Sequence, residues 1–245
     1  VRTVRLILAF QGTHYEGWQS QRKDRTVQER VEKALREILK AKTHAEGSSR
    51  TDSGVHALGF TASFRTKSRM PDAVIKRALN FHLPADIVIR SARTVLAGFH
   101  ARFHAKSKVY RYDIWNDPTR PLFEAPYVLW HPQRLDVGHM RQAARYIMGK
   151  HDFKAFQASG DDRKGGTVRT VKRISITKKK ELLRIEITGD GFLRQMIRII
   201  VGTLLEAGRG KMPPERVREI LLSKDRRKAG PTAKAHGLTL VRVDY

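Results

Sequence analysis

Cysteine is absent from this 245-residue chain. That excludes disulfides and every zinc or redox motif built on thiolates, and it fits a reducing, cytosolic setting. Long apolar runs are missing too. The N-terminal stretch 1–10 is too short for a signal peptide, and the longest later run, 197–205, is broken by Arg198 and Gly202 well short of a membrane span. The sequence reads as a soluble, cytoplasmic protein with no membrane partner. There is no Gly-x-x-x-x-Gly-Lys phosphate loop, no Gly-x-Gly-x-x-Gly turn and no Gly-x-Ser-x-Gly elbow, so nucleotide cofactors and serine-hydrolase chemistry lack support. Acid is scarce: 24 Asp and Glu stand against 49 Lys and Arg, a formal charge of +25, with a pI near 10.9.

Such an excess attracts phosphate backbones at long range and points to RNA or DNA, the alternative being a merely solvated basic surface. With 40% apolar residues the chain can bury a core, and its length suits one large or two smaller domains. Residues 4–10 read as a strand, followed by a glycine-punctuated loop over 11–19. Thr26 opens a helix through a capping box with Glu29, and Val27, Val31, Leu35, Ile38 and Leu39 form its apolar stripe. Further strands are expected over 55–64 and 87–95, and a helix over 71–81 started by Pro71. In the second half, alternation over 109–115 sets Tyr110, Tyr112 and Ile114 on one face. A proline-bearing loop covers 116–126. Asp136 caps a helix to about Met148, with Gly149 as its stop. Residues 160–166 read as a charged loop, 171–177 and 182–188 as a hairpin, and 192–207 as a buried helix. A short helix follows Pro213-Pro214, and 238–243 is a closing strand. The class is α+β, with an N-terminal subdomain over 1–104 carrying Asp52 and a C-terminal one over 105–245 carrying Tyr110 and Arg198.

The chemistry concentrates at Ser49-Arg50-Thr51-Asp52-Ser53-Gly54-Val55-His56. Asp52 lies among small residues that turn the backbone tightly and leave a side chain accessible, and cationic surroundings favour a charged carboxylate. A turn aspartate either bonds a neighbouring amide or offers a nucleophile or base, and a partner elsewhere in the chain separates the two. Arg198 is the candidate partner. It interrupts an apolar run on a helix that is otherwise buried, where a guanidinium without an acid is costly; the alternative is a solvent-facing seam shared with Arg194. Tyr110 is either core with a satisfied hydroxyl or a platform on which an extruded base stacks. His100 and His104 have the spacing of helical metal ligands, but no glutamate stands between them and no third ligand declares itself, so no metal is expected.

Several separated motifs resemble the tRNA pseudouridine synthase A family. They are Gly12-Thr13 through Gly17-Trp18-Gln19-Ser20-Gln21, Thr26-Val27-Gln28, Arg50-Thr51-Asp52-Ser53-Gly54-Val55-His56-Ala57, Phe99-His100-Ala101-Arg102-Phe103, Lys108-Val109-Tyr110-Arg111-Tyr112, and Gly191 through Arg198 with Val201-Gly202. Their order and spacing span nearly the whole chain. The resemblance implies an isomerase that converts uridine to pseudouridine in the anticodon stem-loop of tRNA, with no cofactor and no metal. It also implies two ferredoxin-like α+β subdomains whose antiparallel sheets join across a basic cleft, and a homodimer in which one tRNA touches both subunits. By motif, Asp52 is the nucleophile, Arg198 its ion-pair partner, Tyr110 the aromatic contact to the target base, and Arg50 the residue that replaces the flipped-out uridine. Two positions depart from the family pattern: Ser49 stands where glycine is usual and Ser53 where alanine is common. Ser49 is expected to put a side chain where the turn needs backbone freedom. A catalytically silent RNA-binding protein or chaperone would carry the same charge, but binding alone does not call for a carboxylate in a cationic cleft.

Overall fold

The computed structural model describes residues 1–20, 25–160 and 166–245, in two compact units: Val1–Lys106 with Thr239–Tyr245, and Ser107–Leu238. A single cut at 104/105 does not express this division, because the last seven residues return to the first unit. Gln21, and most of the charged loop expected at 160–166, lie outside the described residues.

The first unit contains β1 (Arg2–Phe10), α1 (Val27–Leu39), β2 (Glu46–Gly47), β3 (His56–Thr66), α2 (Asp72–His82) and β4 (Ile87–Val95). β1 runs antiparallel between β3 and β4, and β2 adds to β3. The closing strand, Leu238–Asp244, lies parallel to the start of β3, with Thr239 opposite His56 and Leu240 opposite Ala57. Strand period two buries Val4, Leu6, Leu8 and Phe10, and the helical period buries Val27, Val31 and Leu35 of α1 and Ile75 and Leu79 of α2. Each such side chain contributes about 2 kcal/mol when fully removed from water. α1 begins as expected: Thr26 Oγ1 accepts the Glu29 N–H at 3.4 Å and the Glu29 carboxylate accepts the Thr26 N–H at 3.0 Å. Ile38 and Leu39 are only half-buried, so the stripe narrows toward its end.

The second unit contains β5 (Ser107–Trp115), β6 (Leu129–Trp130), α3 (Val137–Arg145), β7 (Gly149–Asp152), β8 (Val168–Lys179), β9 (Leu182–Gly189), α4 (Met196–Gly208) and α5 (Arg216–Ser223). The closing strand is β10. Strands run in the order β5-β9-β8-β7, antiparallel throughout, with β6 parallel to β5. The two units therefore share the α+β class but not one strand order, since β4-β1-β3 in the first has no counterpart in the β7-β8-β9 meander. α3 ends at Arg145, short of the expected Met148, and Gly149, at φ +109°, starts β7 instead of capping the helix. α4 starts four residues later than expected because Gln195 takes a left-handed conformation, φ +58°, which a helix cannot pass through. Within α4 every residue except Arg198 and Glu206 is buried.

A strap over 229–235 lies against α4 and explains its glycine. A Cβ on Gly202 would sit 1.7 Å from the Pro231 carbonyl oxygen. Gly230 N–H donates to Thr203 Oγ1 at 2.9 Å, and Arg226 donates to the carbonyls of Ala229 and Gly230 and to Thr232 Oγ1.

Candidate active site

In the first unit the residues before β3 form a tight loop seated on the segment that follows β1. Gly54, at φ +78°, donates its N–H to the Tyr15 carbonyl at 3.2 Å, and Ser53 Oγ donates to the same oxygen at 3.3 Å. Asp52 O accepts the Val55 N–H at 3.2 Å, closing the turn. The two backbones are in contact: a Cβ on Gly12 would lie 2.1 Å from Val55 O, and one on Gly17 would lie 2.2 Å from Thr51 O. Only glycine permits that approach. Tyr15 is itself anchored, its hydroxyl donating to Asp86 Oδ1 at 2.7 Å, and burial together with that carboxylate pushes the phenol well above its usual range. Trp18 stacks on Phe60 with ring centroids 4.2 Å apart, fixing the far end of the same segment.

On this loop Arg50 is exposed and Asp52 half-buried, while the hydroxyls of Ser49 and Thr51 are buried without hydrogen-bond partners among the described residues. Unmet hydroxyls of this kind cost about 1–3 kcal/mol each, which the surrounding contacts offset. The backbone freedom expected to matter at Ser49 is not required there. Among the described non-glycine residues, positive φ occurs only at Lys40, Lys180, Gln195 and Lys224. Ser49 is not among them, and the backbone freedom is used at Gly17 and Gly54.

In the second unit Tyr110 and Tyr112 are separated by their surroundings. Tyr112 is fully buried, its hydroxyl donates to the Lys234 carbonyl at 2.7 Å, and burial raises its phenol far above the usual value. It is core. Tyr110 is 7% exposed and meets Phe192 edge-on, with centroids 5.4 Å apart and planes at 87°. Arg198 is half-buried, and its place is set twice over: Nε donates to Ala233 O at 2.7 Å, and Ala233 N–H donates to Arg198 O at 3.1 Å. The Nε donor is spent on that carbonyl, and a guanidinium carries five N–H donors in all.

Sequence reasoning did not reach Tyr15, His56 or Ala233 as parts of this arrangement. His56 stands inside the quoted motif, and the signal available was a histidine opening an apolar strand; in the structure it is only 3% exposed. His100 and His104 lie in turns, not on a helix. His100 Nδ1 accepts the N–H groups of Arg102 and Phe103, and His104 Nδ1 accepts that of His100. Among the described residues no group of three or more His, Cys, Asp or Glu could hold a metal ion, and no helix is long and apolar enough to cross a membrane.

Residues 6–104 and 143–245 match the family model described as tRNA pseudouridine synthase. Relatives include tRNA pseudouridine synthase A 2 of Clostridium perfringens, 44% identical over 245 residues with both chains fully covered. The tRNA pseudouridine synthase A of Acetivibrio thermocellus is 45% identical over 247 residues, again covering all of both. That of Geobacillus kaustophilus is 44% identical over 246 residues, covering 99% of this chain and 94% of the relative.

Proposed function

Because the chain belongs to the tRNA pseudouridine synthase family, we propose that it isomerises uridine to pseudouridine in the anticodon stem-loop of tRNA, with Asp52 as nucleophile. The observation that carries the assignment is the Asp52 loop itself. Its backbone is held on both sides by the 12–17 segment, so a half-buried carboxylate is presented at a fixed point of a strongly basic chain.

The reaction breaks the bond from ribose C1′ to uracil N1 and forms one from C1′ to C5. N1 gains a proton and C5 loses one, so the change is an isomerisation without oxidant or co-substrate. A carboxylate serves by adding either to the electron-poor C1′ or to uracil C6, holding one fragment while the base turns. In this reading Arg198 is the cation that keeps Asp52 charged, Tyr110 contacts the target base, and Arg50 fills the place left by the flipped nucleotide. The reading further includes two subdomains whose sheets join across a basic cleft, a homodimer engaging one tRNA through both subunits, and a cytoplasmic setting. The test is pseudouridine mapping of a tRNA pool incubated with the purified protein: new pseudouridine in the anticodon stem-loop is expected, and its absence leaves the silent RNA-binding reading.

Two further outcomes are expected. Tyr110→Phe keeps the ring and its edge contact with Phe192, whereas Tyr110→Ala loses both. Single-turnover rates should therefore fall by less than about tenfold for the first, and by a further factor of about ten or more for the second, the scale of 1–3 kcal/mol per base–aromatic contact. Equal, near wild-type rates would remove this ring from the site. Affinity for tRNA should also fall steeply with salt. If roughly five phosphates are neutralised, the log–log slope is about minus four, and a slope near zero in a binding titration would detach the +25 charge from RNA recognition.

A further inference from the structure

We propose that His56 is a positioning residue for Asp52, acting through the Gly12 amide; the inference rests on Asp52 being the nucleophile. His56 opens β3, where Thr239 of β10 and the neighbouring Phe10–Ala57 pair hold its backbone in the sheet. From that fixed point its Nδ1 accepts the Gly12 N–H at 3.0 Å, in a hydrogen bond buried from solvent. An imidazole accepting at Nδ1 carries its proton on Nε2, so the bond selects one tautomer of the neutral ring.

The bond begins a chain of contacts that leads back to the carboxylate. Gly12 opens the short turn 12–14, whose Gly12 O accepts the Tyr15 N–H at 3.0 Å. The Tyr15 carbonyl then receives Gly54 N–H and Ser53 Oγ, the two residues immediately after Asp52. His56 thus refers the position of the Asp52 turn to the sheet. Gly12 also lies directly against Val55 O, so the 12–17 segment cannot move without disturbing the Asp52 loop. A buried N–H left without an acceptor is costly, and a shift of the 12–17 segment relieves that cost. Such a shift moves Asp52. Misplacing a reacting group by about 1 Å is enough to lose about a hundredfold in rate while leaving phosphate contacts alone.

The test compares His56→Gln with His56→Asn. Asparagine places its carbonyl oxygen where Nδ1 stands and can accept from Gly12, whereas glutamine carries its amide out toward the Nε2 position. His56→Gln is expected to lower the single-turnover rate about a hundredfold with tRNA affinity within about threefold, and His56→Asn to recover most of that loss, to within about tenfold of wild type. In the wild-type protein, nitrogen NMR of the ring should show Nδ1 bare and Nε2 protonated. If His56→Gln does not fold, the asparagine variant and the ring tautomer still decide. A glutamine variant within threefold of wild type, an asparagine variant no faster than the glutamine one, or a proton on Nδ1 each overturns the proposal. Asp52→Asn in the same assay keeps the two readings apart: wild-type turnover there removes the nucleophile assignment, whereas loss there with no effect at His56 removes only the positioning role.

Discussion

Asp52→Asn is expected to reduce pseudouridine formation by about 10⁴-fold or more, the scale on which loss of a covalent nucleophile acts, while tRNA affinity stays within a few-fold. In the proposed reading the two effects separate, because binding is carried by backbone phosphates and the chemistry by one carboxylate. Affinity is even expected to rise slightly, since a negative charge leaves a chain of net +25 that faces RNA. The loop should not collapse. Ser53 Oγ and Gly54 N–H donate to the Tyr15 carbonyl and Val55 N–H donates to the Asp52 carbonyl, and the substitution removes none of these three bonds. Asparagine before Ser53-Gly54 deamidates slowly to aspartate, so the rate is taken on freshly purified protein and followed for delayed recovery. Wild-type turnover at the earliest time point would end the nucleophile assignment.

What the sequence made legible follows the range of the interactions involved. α1 with its capping box, β1 and β4 rest on local periodicity and local hydrogen bonds, and all are visible in a window of a dozen residues. The start of α4 is not, because Leu193, Met196, Ile197 and Ile200 continue an apolar pattern across Gln195, whose left-handed backbone is set by the surrounding structure. Tyr146, Ile147 and Met148 likewise extend the α3 pattern beyond the point where the chain turns toward β7. The two-residue strand β6 exists only because β5 lies beside it, and β10 pairs with a strand, β3, that is far away in the sequence. At the candidate site the same division holds. Arg50, Asp52, Tyr110 and Arg198 stand out as residue types, whereas the Tyr15 and Ala233 carbonyls act through main-chain atoms that any residue carries. His100 and His104 show the converse: a four-residue spacing is that of one helix face, but the chain there turns, and the rings accept from backbone amides.

Arg198→Ala should cost both stability and turnover, and the two losses have different sources. The stability term is the charged hydrogen bond from Nε to the Ala233 carbonyl, about 2 kcal/mol for a donor of this kind, and it should appear as a drop in Tm of several degrees. The strap should survive. Ala233 N–H still reaches the main-chain oxygen of residue 198, and Gly230 and Arg226 hold the strap elsewhere. The activity term comes from leaving Asp52 without its proposed cation, and about a hundredfold loss is expected at constant tRNA affinity. Arg198→Lys, which keeps the charge but not the fork of donors, should fall between. The pairing is decided by a stability cycle combining Arg198→Ala with Asp52→Asn. Two residues that share an ion pair are non-additive by more than about 0.5 kcal/mol, because the second substitution removes a charge that the first has already stranded. Strict additivity would mean that Arg198 serves the strap alone, and some other cation would then have to account for a charged carboxylate at position 52.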